Sequence, residues 1–330
     1  MISGQHRTLL ATCTHISPRP TLSGVDTWDA EERAALVALL RTRPEGMTWS
    51  QITAQVTEIG SARKLWEQHR PPTLFTEMLA AELGTDALVE AAREIDTWRD
   101  ADFRFHTFRD DQYPAQLRDV HQVPPVLFTR GTLLPGENAV SVVGSRRASE
   151  RALRMAVSLA ERLVDRGITV LSGLAEGIDT AAHVTALDRG GRTVAVIGTG
   201  IQKYYPAANR SLQDRIAAEG LVMSQFWPDS PPSKSSFPMR NATMSAYGRV
   251  TIIVEAGELS GTRIQARSAV AHGRPVILMG AVVRGTNWGR ALVGKPGVYQ
   301  AETPDEAIDH VKRITSSDNP AAGILALAKG

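Results

Sequence analysis

Six short apolar runs, mostly β-branched, recur from residue 139 onward and dictate what this chain can fold into. They are "AVSVVG" (Ala139 to Gly144), "ITVLSG" (Ile168 to Gly173), "TVAVIG" (Thr193 to Gly198), "GLVMSQ" (Gly220 to Gln225), "VTIIVEA" (Val250 to Ala256) and "PVILMG" (Pro275 to Gly280). Helical stretches such as "SERALRMAVSLAERLVDRG" and "GIDTAAHVTALDRGG" separate them. Runs this short and this uniformly apolar read as strands buried on both faces. Alternating with helices, they predict a parallel sheet covered on both sides. Ligands of such sheets sit at the carboxyl ends of the strands. Those ends carry Gly144, Ser172-Gly173, Gly198, Ser224, Glu255 and Gly280, mostly small residues that leave a crevice open.

The chain ahead of the sheet follows another pattern. "WDAEERAALVALLRT" (Trp28 to Thr42) places Ala35, Leu36, Leu39 and Leu40 on one helical face, with acids in the first turn. Further helices are expected near 48–57, 61–69, 73–83 and 86–100. The expected organisation is a flexible tail at 1–28, a small all-α domain at 29–105, a parallel-sheet α/β domain at 106–315 and a short tail at 316–330.

The formal charge of +2 hides an asymmetry. Residues 1–105 carry a net −4 and residues 106–330 a net +6, compatible with a polyanion partner for the second part. Arginine makes up 31 of the 37 basic residues. That bias suits phosphate or reflects a G+C-rich genome, and both readings stand. Cys13 is the single cysteine, so no disulfide framework or thiolate metal cage forms. No apolar run approaches a signal-peptide core or a membrane span, and a soluble, cytoplasmic protein without membrane contact is expected.

"VVGSRRASERA" (Val142 to Ala152) is the most informative turn: an apolar strand stops at a glycine, two arginines follow, and Ser149 can cap the next helix. A glycine admits close backbone approach, and helix-start N–H groups attract anions. A phosphate-bearing ligand is implied. The dinucleotide fingerprint G-x-G-x-x-G is missing here, and "GTG" at Gly198 lacks its third glycine, so NAD is not expected. "GRALVGKP" from Gly289 approaches a P-loop, but Pro296 replaces the magnesium-binding hydroxyl and no strand leads into it. Neither H-E-x-x-H nor G-x-S-x-G occurs. No metal or cofactor is expected. Asp179 and His183, four residues apart, share a helix face; they either orient a general base or make a structural hydrogen bond.

Taken together, "YPAQL" (Tyr113 to Leu117), "PPVLFTRG" (Pro124 to Gly131), "GSRRAS", "SGLAEGIDTAAH" (Ser172 to His183), "AVIGTGIQKYYPAANRSL" (Ala195 to Leu212), "FPMRN" (Phe237 to Asn241) and "VEAGELSGT" (Val254 to Thr262) resemble the DNA-processing protein A family, DprA/Smf. The resemblance covers roughly residues 106–295. It implies an extended Rossmann-like fold, single-stranded DNA as ligand, a homodimer, and loading of a RecA-type recombinase in natural transformation, with no catalytic turnover. On this resemblance the DNA-binding residues are Gly144, Ser145, Arg146, Arg147, Ser172, Gly173, Lys203, Lys234, Arg240 and Asn241. Arg147 either adds to the Arg146 contact or faces solvent, and Arg240 either meets phosphate or pairs with Glu255. Tyr204 and Tyr205 offer aromatic surface near the same rim. Gly177, Asp179, Gly198, Glu255, Ser260, Gly261 and Thr262 mark a possible ligand pocket.

Three positions depart from the family pattern: Glu176 stands where many relatives have Lys or Arg, Ala242 where a second arginine follows "FPxRN", and Gln225 replaces a glutamate. The first two thin the positive field of the expected groove. The alternative is a nucleotide sensor or nucleosidase-like protein. Against hydrolysis, Gln265 occupies the place of the catalytic acid in the look-alike phosphoribohydrolases, and an amide is no general base. Glu255 and Glu258 are nevertheless near. A third reading is a paralogue acting through protein contacts. For the dimer, "VTIIVEA" and "PVILMG" with their helices are the candidate seam.

Overall fold

The computed structural model describes residues 28–69 and 86–317. The expected tail before Trp28, the helix at 73–83 and the tail beyond Ser317 lie outside those residues.

One sheet contains β1 (Arg104–Thr107), β2 (Val126–Gly131), β3 (Ala139–Val143), β4 (Thr169–Ser172), β5 (Thr193–Val196), β6 (Leu221–Ser224), β7 (Val250–Ile253), β8 (Val276–Met279) and β9 (Val298–Ala301). Their order is β1-β2-β6-β5-β4-β3-β7-β8-β9. All six apolar runs are strands, and they pair in parallel. The other three are additions: β1 and β2 run antiparallel at one end, and β9 closes the other in parallel. From β3 the chain steps outward through β4 and β5 to β6, then crosses to β7 on the opposite side of β3. That reversal leaves a crevice at the carboxyl ends of β3 and β7, where open α/β sheets hold ligands.

Strand alternation divides the core. Val140, Val142, Val170, Val250, Ile252, Ile277 and Met279 point to one face, against α5 (Glu150–Val164), α6 (Ile178–Asp188) and α10 (Pro304–Ser317). Val143, Leu171, Ile253, Val276 and Leu278 point to the other, under α8 (Ser236–Tyr247) and α9 (Thr262–Ala271). α7 (Arg210–Glu219) packs against β2 and β6. The "VTIIVEA" and "PVILMG" strands lie inside the sheet, β7 between β3 and β8 and β8 between β7 and β9. Their backbones are therefore not available as a seam; only the flanking helices are. Among the described residues no helix is long and apolar enough to cross a membrane.

The N-terminal helices are α1 (Ala30–Thr42), α2 (Trp49–Ile59), α3 (Ala62–His69) and α4 (Ala87–Arg99). Asp29 accepts from the Glu32 N–H at 2.9 Å, and Thr48 forms a capping box with Gln51. An aromatic cluster joins this region to the sheet. Trp98 meets Phe105 and Phe128 at 5.0 Å and Trp227 at 5.8 Å, and the Arg41 guanidinium lies 4.0 Å from the Trp227 ring centre.

At the amino edge, the buried Glu137 carboxylate accepts from Arg192, from the Thr169 hydroxyl at 2.9 Å and from the Tyr247 hydroxyl at 2.6 Å. It ties the entries of β3, β4 and β5 to the end of α8. Removing one partner of a buried pair strands the other charge, so Glu137→Ala should destabilise the fold by about 3 kcal/mol and Tyr247→Phe by about 1 kcal/mol, read from urea midpoints.

His183 on α6 is fully buried. The Thr193 hydroxyl donates to the Val170 carbonyl and therefore accepts from His183 Nδ1 at 2.7 Å. This assigns the proton to Nδ1 and leaves Nε2 without a partner. Burial, then the nearby Arg240 charge, holds the imidazole down at about 3. Because the unfolded chain takes up a proton that the folded one refuses, stability present above pH 6.5 is lost as pH falls toward 3, by up to about 1.4 kcal/mol per unit. A His183→Gln variant should show a correspondingly flatter acid limb in pH-dependent denaturation.

Candidate nucleic-acid interface

The "GSRR" turn leaves β3 into the crevice, and its shape is set by two glycines. Gly177 has φ +76°, and a Cβ there would collide with the carbonyl oxygens of Ser145 and Arg146. A Cβ on Gly144 would meet Ile178 and the Glu255 carbonyl. The turn is thus clamped between the start of α6 and the exit of β7. Hydrogen bonds hold it from both sides: Ser145 N–H to the Glu255 carbonyl at 2.8 Å, and Ile178 N–H to the Ser145 carbonyl at 3.3 Å. Arg146 and Arg147 project from this fixed turn, exposed and without an acidic partner among the described residues.

The crevice encloses about 420 Å³ and is lined by Gly144 to Arg147, Asp179, Phe237, Arg240, Asn241, Ser260 to Thr262 and Gln265. A smaller slot of about 90 Å³ opens beside it between Arg146, Glu176, Gly198, Tyr205, Phe237 and Arg240. Phe237 is the shared wall. Its ring centre lies 5.2 Å from the Arg146 guanidinium and 5.4 Å from the Tyr205 ring. Phe237 is not among the residues expected from the sequence; its signal there is an aromatic residue directly before Pro238 at the start of α8.

Arg240 is buried rather than extended, at 5% exposure. Nη1 donates to the carbonyls of Gly173 and Val196, and Nε to Asn241 Oδ1 at 2.9 Å; Nη2 has no protein acceptor among the described residues. The expected alternative of an ion pair with Glu255 does not form. Glu255 accepts instead from the Ser149 N–H at 3.0 Å and the Ser149 hydroxyl at 2.6 Å, fixing the start of α5. Burial lowers the Arg240 guanidinium from its usual range, opposed by Asp179 and reinforced by Arg146.

Asp179 accepts from the N–H groups of Gly173 and Ala175 at 3.1 and 3.3 Å. Burial pushes its carboxyl up, against the pull of Arg240 and of those N–H groups. It makes no hydrogen bond to His183, so the helix-face pairing does not occur. The Ser172 hydroxyl donates to the Val142 carbonyl at 2.7 Å, a sheet-internal role. Asn241 Nδ2 donates to the Gly261 carbonyl at 3.2 Å, linking α8 to the loop before α9. Ser260 and Thr262 bond each other at 2.8 Å.

Lys203 and Lys234 are exposed on loops and line neither cavity. Tyr204 turns away, donating to Asp214 at 2.8 Å under the Arg210 guanidinium, while Tyr205 stays at the slot. Arg154 pairs with Glu150 at 3.5 Å along the flank of α5, outside the crevice. Glu258 Oε2 accepts from the Asn287 N–H at 2.8 Å. Gln265 lines the crevice and is buried, and its Nε2 has no hydrogen-bond partner among the described residues. "GRALVGKP" begins in the helix Asn287–Leu292, and no strand leads into it. No group of three or more His, Cys, Asp or Glu residues able to hold a metal is present among the described residues.

Comparison with known proteins matches this architecture. The chain is 40% identical to DNA processing protein DprA of Streptococcus pneumoniae over 182 residues, covering 54% of this chain and 64% of that protein. It is 38% identical to Protein Smf of Synechocystis over 181 residues, covering 52% and 45%. The matches therefore span between about half and two-thirds of these relatives. The crystal structure of the S. pneumoniae protein superposes with a TM-score of 0.64 at 30% identity, covering 85% of this chain and 97% of that one. DNA processing protein A of Helicobacter pylori, whose structure concerns its single-stranded DNA binding mode, superposes with a TM-score of 0.57 at 25% identity, covering 64% and 97%. The model of the DNA recombination-mediator protein A family matches residues 104–305, well over half of the sequence, and the chain belongs to that family.

Proposed function

We propose that the protein binds single-stranded DNA along the carboxyl edge of its sheet and acts, as a homodimer, to protect the strand and load a RecA-type recombinase in DNA uptake. The observation that carries this is the pair Arg146 and Arg147, exposed and without an acidic partner among the described residues, on a glycine-clamped turn at the crevice, with Phe237 and Tyr205 alongside. A positive rim beside aromatic faces is what an unpaired strand requires: cations for the backbone, rings for the bases. The H. pylori relative, whose structure concerns binding of the same ligand, supports the reading. Recombinase loading and the role in transformation rest on family membership.

The protein acts by binding rather than turnover. Gln265 offers an amide where hydrolysis needs an acid, and the neighbouring Glu255 and Glu258 are engaged with backbone N–H groups. One observation favours the second reading, a small nucleotide in the crevice: the buried Gln265 Nε2 has no hydrogen-bond partner among the described residues.

Arg146→Ala should weaken binding to every single-stranded sequence and flatten the salt dependence of log K by about 0.7, while Arg151→Ala and Arg154→Ala leave both unchanged in anisotropy with labelled dT oligomers. Wild-type affinity and slope in Arg146→Ala, with AMP binding retained, would place the small-nucleotide reading first. Arg240→Ala should differ in kind, lowering affinity together with the denaturation midpoint, because it leaves the Gly173 and Val196 carbonyls unpaired. Light scattering at micromolar concentration should return about twice 35.7 kDa; a monomer at all concentrations removes the dimer. AMP should release no free base above the background of a Glu255→Gln, Glu258→Gln double variant.

A further inference from the structure

The slot beside the "GSRR" turn holds two opposite charges that do not neutralise each other. Arg146 and Glu176 both line it, yet neither is in an ion pair among the described residues. Glu176 is exposed on the turn between β4 and α6, and its side chain has no hydrogen-bond partner among the described residues. The slot is lined by Phe237 and Tyr205, and a Cβ on Gly198 would run into the Phe237 ring. At about 90 Å³, beside a crevice of about 420 Å³, it suits the edge of one planar ring rather than a run of nucleotides.

A site for phosphate alone gains nothing from an unpaired carboxylate, which repels the anion. A carboxylate only accepts hydrogen bonds, through two oxygens. It therefore selects a group that presents donors. Unstacked bases are read on their Watson–Crick edges while stacked on aromatic side chains. Guanine alone among the four DNA bases sets two donors side by side on that edge, N1–H and the N2 amine, matching the two oxygens of one carboxylate. Thymine sets its single N–H between two carbonyl oxygens. Adenine and cytosine pair each amine with an acceptor nitrogen.

We infer that Glu176 is the base-selecting residue of this site. It accepts from the Watson–Crick donors of an unstacked guanine lying against Phe237, while Arg146 holds the neighbouring phosphate. The inference rests on the single-strand reading above and adds a sequence preference to it.

Anisotropy with three short labelled oligomers tests this: all-dT, the same length with one central guanine, and the same with inosine, which lacks the N2 amine. The wild-type protein should bind the guanine oligomer at least about fivefold more tightly than all-dT, the lower end of what a good bidentate base contact discriminates. Inosine should lose most of that gain. Glu176→Ala should bind all three alike, and all-dT at least as tightly as wild type does. Glu176→Gln, which keeps the side-chain size and one acceptor, should show an intermediate preference. Equal wild-type affinities for the three oligomers, or a guanine preference that survives in Glu176→Ala, would overturn the inference and leave single-strand binding intact. Failure of the wild-type protein to bind any oligomer would overturn both.

Discussion

The guanidinium of Arg240 organises the functional edge of this sheet. Burying a cation is costly unless hydrogen bonds replace its water, and here the chain's own backbone does so. The carbonyls of Gly173 and Val196, at the exits of β4 and β5, both accept from Nη1. One side chain of α8 thus sets where two neighbouring strands end and how close the helix approaches. It explains why residue 173 is glycine, since a Cβ there would occupy the guanidinium's place. It also explains the position of Asp179, whose buried carboxylate supplies counter-charge while bonded to the N–H groups of Gly173 and Ala175. Because no carboxylate pairs directly with Arg240, its charge is held by dipoles and still acts on the crevice beside Arg146.

Strands buried on both faces announce themselves in a sequence, and β3 to β8 were legible for that reason. β1, "RFHT", and β9, "VYQA", were not, because an outer strand covered on one side carries polar residues and loses the continuous apolar signature. β2, "VLFTRG", is apolar at its start but ends in polar residues, and its antiparallel pairing depends on partners distant in sequence.

The site divides in the same way. Arg146 was legible because a glycine ending an apolar strand fixes the turn locally. The fate of Arg240 was not, because the carbonyls it meets lie 67 and 44 residues away. Glu255 likewise offered a partner for Arg240 at a strand exit, yet the group it meets, Ser149, is 106 residues distant. Phe237 gains its place only when α8 packs over Gly198.

The abundance of arginine, read from composition alone, left two explanations open, and the structure refines the question by showing what each guanidinium touches. Arg162 pairs with Asp305 at 2.8 Å, Arg189 with Asp165 at 3.0 Å, and Arg215 with Asp188 at 2.7 Å and Glu219 at 2.9 Å. Arg41, Arg63 and Arg284 have acidic partners of their own. Such surface pairs contribute little stability, but a guanidinium already facing a carboxylate offers a phosphate much less attraction. Counting arginines therefore overstates the field available to a polyanion. At the crevice, Arg146 and Arg147 have no acidic partner among the described residues, and they stand beside a buried Arg240 held by backbone carbonyls. A net charge of only +2 therefore says little about the charge gathered at one crevice. The guanidinium groups of Arg146, Arg147 and Arg240 come together where the glycine-clamped turn meets the reversal in strand order, the edge at which open α/β sheets hold ligands.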